Sequence, residues 1–186
     1  GMNQGVDDYD NSIGKNEDPY IVAADKSTDH ALAWISRNQD RKWFLWVHYI
    51  DPHGRYVAHP DVVDYGSSEP DLYDAEIQWT DQQIGRLLDM LDRTGLAKNT
   101  IVFLSSDNGP TDWPRYYRDF YAPPGSTGYF RGRKWSLYEG GIREPLLVRW
   151  PGHITAGDVD STTITCNVDV FPTLCKLAGV KPPDAT

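Results

Sequence analysis

The sequence contains little cysteine and no excess of positive charge, and each of these features limits the functions that the protein can have. Its 186 residues include only two cysteines, Cys166 and Cys175, with no Cys-x-x-Cys pair and no Cys/His spacing typical of a metal site. Two thiols do not reveal the redox compartment, because they fit a disulfide or two buried free thiols. The net charge of -9 argues against general affinity for nucleic acid or anionic membranes.

The sequence also lacks an apolar run of transmembrane length, a recognisable signal peptide and any internal repeat. Its length suits one domain with an ordinary hydrophobic core. Residues 1–20 are polar and acidic and predict a loose N-terminal segment, followed by a domain over residues 21–186.

What the sequence does contain is a short apolar run that ends in polar residues. Residues 101–104 are apolar and bounded by turn residues, which predicts a buried strand of a parallel sheet. Asp107 and Asn108 follow this run, and ligands of open α/β sheets bind beyond the carboxyl ends of the strands. A carboxylate beside an amide oxygen suits a hard cation such as calcium. A strand that ends in an Asx turn explains the same residues without a function.

A second apolar run, residues 43–50, predicts another buried parallel strand. It ends at Asp51 and Pro52, and Pro52 stops a strand ladder because proline has no N–H. His53 then lies just past the carboxyl end of the strand. It is either part of a site at that edge or a turn histidine bonded to a backbone carbonyl.

Two amphipathic helices surround these runs. The first covers residues 22–38, and the second begins at the N-cap Ser68 and ends at Gly95. Strand, helix and strand form a crossover unit, which brings the residues after both strands to one edge of one sheet. The sequence therefore predicts an α/β fold with a mainly parallel sheet flanked by helices, and a functional site at that edge.

The segment after the second predicted strand is rich in aromatic residues and then in cations. Residues 110–130 predict either a loop that lines a substrate site or a loop that packs on the domain. Arg131, Arg133 and Lys134 place three cations in four residues of an acidic chain. They indicate either a local anion site or a solvated basic loop.

The C-terminal part of the sequence predicts three more elements. Strands are expected over residues 145–150 and 162–165. A short helix follows, capped by Asn167 or Asp169 and ended by Gly179.

These segments, taken in order, resemble the type I sulfatases of the alkaline phosphatase superfamily. The resemblance extends over about residues 21–182. It is carried by His48-Tyr-Ile-Asp-Pro-His53, Tyr73-Asp-Ala-Glu-Ile77 with Asp81, Ser106-Asp-Asn-Gly109, residues 133–143, residues 145–152 and Asp169-Val-Phe-Pro-Thr-Leu174.

The resemblance implies an alkaline-phosphatase-like enzyme that hydrolyses aryl or saccharide sulfate esters, periplasmic or extracellular like the family. Asp107 and Asn108 match the later pair of calcium ligands. Lys134 matches the lysine that contacts the sulfate, and His53 matches the histidine that faces the sulfate and the leaving oxygen. Asn108 stands where phosphatases of the superfamily tend to have a histidine suited to zinc, which favours sulfate over phosphate esters.

Three family features are missing: the nucleophile motif, the early Asp-Asp pair that completes the calcium site, and the Lys and His of a Gly-Lys-Trp-His type segment. No Cys/Ser-x-Pro-x-Arg segment, the source of the formylglycine nucleophile, occurs in the sequence. We therefore expect residues 21–186 to be a partial sulfatase catalytic domain, truncated at its N-terminal side and inactive without a nucleophile. The alternative is a non-catalytic fragment that binds anions or saccharides. A truncated sheet would expose an unpaired edge, so homo-oligomers through that edge are also expected.

Overall fold

The computed structural model describes residues 6–12, 24–54, 56–112 and 124–181. Of the predicted loose segment, residues 1–5 and 13–20 lie outside these ranges, as do residues 113–123 of the aromatic loop at 110–130. The chain divides into two compact units, residues 1–152 and residues 153–186. The described elements are α1 (Ala24–Asn38), α2 (Glu69–Arg93), a 3-10 turn (Leu96–Asn99), β1 (Val102–Ser105), α3 (Glu139–Ile142), β2 (Leu146–Arg149) and α4 (Asn167–Ala178).

The two long helices were predicted correctly, and they form the core of the first unit. Ile35 of α1 packs against Met90 and Leu91 of α2 and against Ala97. The start of α2 is fixed by a capping box, in which Ser68 accepts the Asp71 N–H and Asp71 accepts the Ser68 N–H. The capping box satisfies two backbone donors that would otherwise lack partners at the start of the helix.

The predicted parallel sheet is wrong for the described strands. β1 and β2 pair antiparallel, with Val102 opposite Arg149 and Ser105 opposite Leu146. Parallel neighbours need a crossover connection, usually a full helix, whereas α3 between these strands has only four residues. β1 is also not a buried strand, since Leu104 and Ser105 are exposed.

The predicted strand over residues 43–50 is also wrong, because these residues have no regular secondary structure. Exposure nevertheless alternates along them: Phe44 and Trp46 are each 68% exposed, and Leu45 between them is half-buried. The apolar pattern thus marks a segment with one covered face. No described strand pairs with it to form a ladder.

The second unit contains the last helix, whose position agrees with the prediction. The Cys166 N–H donates to Asp169 at 2.8 Å, and the helix ends at Gly179 in the left-handed region, φ 70°. The strand predicted over residues 162–165 is not formed. Both thiols are free, with Cys166 exposed and Cys175 half-buried. No described helix is long and apolar enough to cross a bilayer.

Candidate active site

Asp107 and Asn108 lie immediately after β1, as the sequence predicts. The Asp107 side chain is exposed and Asn108 is half-buried. The Asn108 Nδ2 group donates to the Gly109 carbonyl at 2.9 Å. This bond fixes the orientation of the amide, and its Oδ1 is the acceptor atom that can serve a cation or a ligand.

Gly109 joins this segment to the loop that carries Lys134. Its N–H donates to the Gly141 carbonyl at 3.1 Å, and a Cβ at position 109 would lie only 1.9 Å from the Gly140 carbonyl oxygen. Next to it, the Lys134 N–H donates to the Pro110 carbonyl at 3.0 Å. The two loops therefore meet backbone to backbone, and only glycine fits at position 109.

The three cations of the basic segment have different surroundings. Arg133 donates to the carbonyls of Thr111 and Gly125, and the Arg131 guanidinium lies over the Tyr138 ring at 4.1 Å. These two arginines organise the loop. Lys134 is the cation whose charge acts on His53.

The residue after Lys134 has an unusual backbone. Trp135 has φ 80°, in the left-handed region that bulky residues rarely adopt. Such a conformation costs about 1–3 kcal/mol and is found preferentially at functional sites. The Lys134 ammonium lies 5.7 Å from the centre of the Trp135 ring, so the strained residue is also a neighbour of the ammonium.

His53 lies within electrostatic reach of both other parts of the site. Its pKa is lowered from the usual 6.5, first by burial and then by the positive charge of Lys134, while Asp107 acts in the opposite direction. The structure thus brings His53, Lys134 and Asp107 together, although they are far apart in the sequence. His48, by contrast, is exposed and stacks on Trp46.

Two carboxyls adjoin the His53 loop: Asp51, half-buried and expected from the sequence in the same polar cluster as His53, and Glu76, buried and missed by the sequence reasoning. Asp51 accepts the Ala24 N–H at 2.6 Å, and burial raises its pKa to about 6. Glu76 accepts the Val57 N–H at 2.9 Å, and burial, followed by the nearby Asp51 charge, raises its pKa to about 8.

The signal for Glu76 was present but was hidden by the apolar stripe of α2. Glu76, Thr80 and Gln83 follow helical spacing and are all buried, whereas Ile77, counted as part of the apolar stripe, is 44% exposed. A search for apolar periodicity passes over a buried face made of polar residues.

Glu144 is a further carboxyl near the end of β1. Its pKa is raised by burial and by the Asp107 charge, and a hydrogen bond with Ser106 acts in the opposite direction. The sequence gave no reason to place Glu144 beside Asp107, since the contact depends on the antiparallel pairing of β1 and β2.

The oxygen donors at this point fit calcium in kind but not in number. Calcium prefers carboxylate and carbonyl oxygens and takes six to eight of them. Asp107 and Asn108 supply two side chains of this kind. The described part of the chain contains no group of three or more His, Cys, Asp or Glu residues that could hold a metal. These two residues alone would leave a calcium site incomplete.

The described residues thus combine helices and a two-stranded antiparallel sheet with a histidine, His53, whose pKa is affected by Lys134 and Asp107. The family model described as Sulfatase matches residues 2–180, so the chain belongs to the sulfatase family.

Individual relatives agree with this assignment. Steryl-sulfatase of Rattus norvegicus is 34% identical over 179 residues, 94% of this chain. N-acetylgalactosamine-6-sulfatase of Mus musculus is 39% identical over 161 residues, 84% of this chain. The structure of Ps i-CgsB in complex with k-i-k-neocarrahexaose superposes with a TM-score of 0.70 at 25% identity over 87% of this chain.

The chain is much shorter than these proteins. It covers 30% of the rat steryl-sulfatase, 29% of the mouse N-acetylgalactosamine-6-sulfatase and 35% of the Ps i-CgsB chain.

Proposed function

We propose that this chain is part of a sulfate ester hydrolase and supplies the groups that hold the sulfate. The observation that supports this most directly is the common electrostatic environment of His53, Lys134 and Asp107 at the end of β1, in a member of the sulfatase family. Sulfate ester hydrolysis needs charge stabilisation at the sulfuryl oxygens and a proton for the leaving oxygen.

In this proposal, each nitrogen group has its own role. The Lys134 ammonium offsets the negative charge on the sulfuryl oxygens, as cationic clamps do in phosphoryl transfer. The lowered pKa of His53 keeps its imidazole neutral near pH 7, so that it offers one N–H donor and one acceptor beside the leaving oxygen. Asp107 and Asn108 would hold calcium, which supplies positive charge to the sulfate when bound.

The proposed substrate is a sulfated saccharide or an aryl sulfate. Two exposed aromatic residues flank Lys134 in sequence: Tyr129, 92% exposed, and Trp135, 71% exposed. Flat rings with one open face suit stacking against a sugar or an aryl group. Two similar proteins support a saccharide substrate: one is named as a sulfatase of N-acetylgalactosamine, and the other was solved in complex with the oligosaccharide k-i-k-neocarrahexaose. A periplasmic or extracellular location is part of this proposal.

By themselves, the 186 residues are proposed to bind sulfate without turning over its esters, because they include no Cys/Ser-x-Pro-x-Arg segment. Steady release of sulfate from an aryl sulfate by the purified chain, lost in Asp107→Ala, would refute this part. A purely binding role, for anions or saccharides, is the second candidate. The absence of a Cys/Ser-x-Pro-x-Arg segment from these residues supports this role as well.

Calorimetric titration with inorganic sulfate in the presence of calcium tests the proposed site. We expect Lys134→Ala to weaken sulfate binding at least tenfold, corresponding to about 1.4 kcal/mol. Lys98→Ala, a change of an exposed lysine on the 3-10 turn, is the matched control and should bind sulfate normally. Equal affinity in the two variants would reject the role of Lys134. Tighter binding of phosphate than of sulfate would favour a phosphate-ester hydrolase of the same superfamily.

The exposed apolar face of residues 43–50 supports the proposed homo-oligomer. Phe44 and Trp46 are large, adjacent on that face and each 68% exposed, and unpaired extended segments recruit further chains. Replacing both with serine should shift sedimentation toward the monomer. A wild-type chain that sediments as a monomer at high concentration would contradict the proposal.

A further inference from the structure

Helix α2 supports the segment that follows His53 along much of its first half. Its side chains meet residues 56–63 at five places, by ring contacts and by hydrogen bonds. The pairs are Tyr73 with Tyr56, Glu76 with Val57, Trp79 with His59, Gln78 with Val63, and Gln82 with Asp61.

Among these contacts, the one made by Glu76 is the most deeply buried. Glu76 is 2% exposed, and its Oε1 accepts the Val57 N–H at 2.9 Å. Its second oxygen, Oε2, is buried and has no hydrogen-bond partner among the described residues. A buried carboxyl oxygen without a partner is costly, so its presence suggests that Glu76 has a structural or functional task.

The position of this contact suggests the task. The His53 loop is fixed before His53 by Asp51, which accepts the Ala24 N–H of α1, and after His53 by Glu76, which accepts the Val57 N–H. His53 therefore lies between two anchor points on two different helices: the Asp51 carboxyl bonds to the first residue of α1, and Val57 bonds to Glu76 of α2.

We propose that Glu76 is a positioning residue: by accepting the Val57 N–H it holds the His53 imidazole in register with Lys134 and Asp107. This rests on the proposed function only in that His53 faces the bound sulfate. The contact between Glu76 and the loop is independent of any substrate.

The charge state of Glu76 is consistent with this task. Burial and the neighbouring Asp51 keep its pKa well above the usual range, so the group is mainly neutral at pH 7. A neutral carboxyl accepts a backbone N–H without placing an unpaired charge in the interior.

Three variants of the full chain separate positioning from simple packing. Glu76→Gln keeps a carbonyl oxygen as acceptor, and Glu76→Met keeps the length of the side chain but removes the acceptor. Gln78→Met is the matched control, because Gln78 accepts the Val63 N–H at 3.2 Å from the same helix, near the exposed end of the same segment. For each variant, NMR measures the pKa and resonance position of the His53 imidazole, and then its response to inorganic sulfate.

We expect Glu76→Met to move the His53 resonance and to weaken sulfate binding several-fold, while Glu76→Gln restores both and Gln78→Met changes neither. A folded Glu76→Met chain with wild-type His53 behaviour would overturn the proposal. An equal effect of Gln78→Met would do the same, since it would indicate general loosening of the segment. If the wild type does not bind sulfate at all, the proposed function fails, but the His53 resonance still reports on Glu76.

Hydrogen exchange in the wild type covers the case in which Glu76→Met does not fold. The Val57 amide should be strongly protected in the wild type and in Glu76→Gln. Exchange of Val57 at the rate of an open amide in the wild type would overturn the proposal without any variant.

Discussion

The two sides of the candidate site are held by different physical means. On the Lys134 side, two loops meet through backbone hydrogen bonds at Gly109 and Pro110, and no titratable side chain takes part in these bonds. On the His53 side, the loop is held by the half-buried carboxyl of Asp51 and the buried carboxyl of Glu76. The first side should therefore tolerate changes of pH but not an added Cβ. The second should respond to pH and tolerate changes that keep a neutral acceptor.

The largest effect is expected at Gly109. In Gly109→Ala, the new Cβ would lie 1.9 Å from the Gly140 carbonyl oxygen, and both partners are backbone, so the loops must separate. We expect a loss of about 3 kcal/mol of unfolding free energy, together with loss of sulfate binding. Urea unfolding and sulfate titration measure the two losses.

Gly85→Ala is the matched control, because a Cβ at position 85 of α2 has nothing within 4 Å. Alanine is favoured over glycine within a helix, so this variant should gain about 0.5–1 kcal/mol. If Gly109→Ala were as stable as Gly85→Ala, the backbone contact at Gly109 would not hold the Lys134 loop.

The next effect is a dependence of stability on pH that comes from the His53 side. Glu76 has a pKa of about 8 in the folded chain against 4.5 as its ordinary value. Because the folded state keeps this proton to higher pH than the unfolded state, the unfolding free energy should fall as pH rises from about 4.5 to about 8 and then level off. The fall should amount to a few kcal/mol at most, and chemical unfolding at a series of pH values measures it.

Two variants divide this pH range. Asp51 has the same direction of shift, from 3.8 to about 6, so Asp51→Asn should remove the lower part of the slope. Because the Asp51 charge helps to raise the pKa of Glu76, this variant should also end the remaining slope at a lower pH. Glu76→Gln should remove the part above pH 6. A slope that persists above pH 6 in Glu76→Gln would contradict the assignment of that titration to Glu76.

The smallest effect is expected from Ser68, which caps the helix that supports the His53 loop. Ser68→Ala removes the side-chain acceptor of the Asp71 N–H and should cost about 1 kcal/mol. It should leave the Lys134 side unchanged. Thermal unfolding gives the loss, and sulfate affinity equal to that of the wild type would show that the helix as a whole stays in place.

Much of the helical structure was predictable from the sequence, because its signals are local. Apolar spacing in α1, the capping box at Ser68 and the glycine after α4 each lie within a few residues of the element that they define. The position of Asp107 and Asn108 directly after β1 was predictable for the same reason, since they follow an apolar run.

The sequence predicted β1 and β2 close to their observed positions, but it did not predict their pairing or the buried carboxyl of Glu76, because both depend on distant parts of the chain. Apolar runs do not distinguish parallel from antiparallel pairing, and the partner of β1 is β2, a strand distant in the sequence. From the sequence alone, Glu76 is expected on the exposed surface of an amphipathic helix. In the fold, the segment after His53 covers it. The features that could not be predicted thus lie around the candidate site.

The central claim is that His53 and Lys134 belong to one sulfate site despite their different supports. Its most direct test is a single titration of the wild-type chain with inorganic sulfate, in which NMR follows the His53 imidazole and the Lys134 side chain in the same samples. The account predicts that both resonances move and that both give one dissociation constant. If only one of them moved, or if the two gave different constants, the two sides would not form a common site.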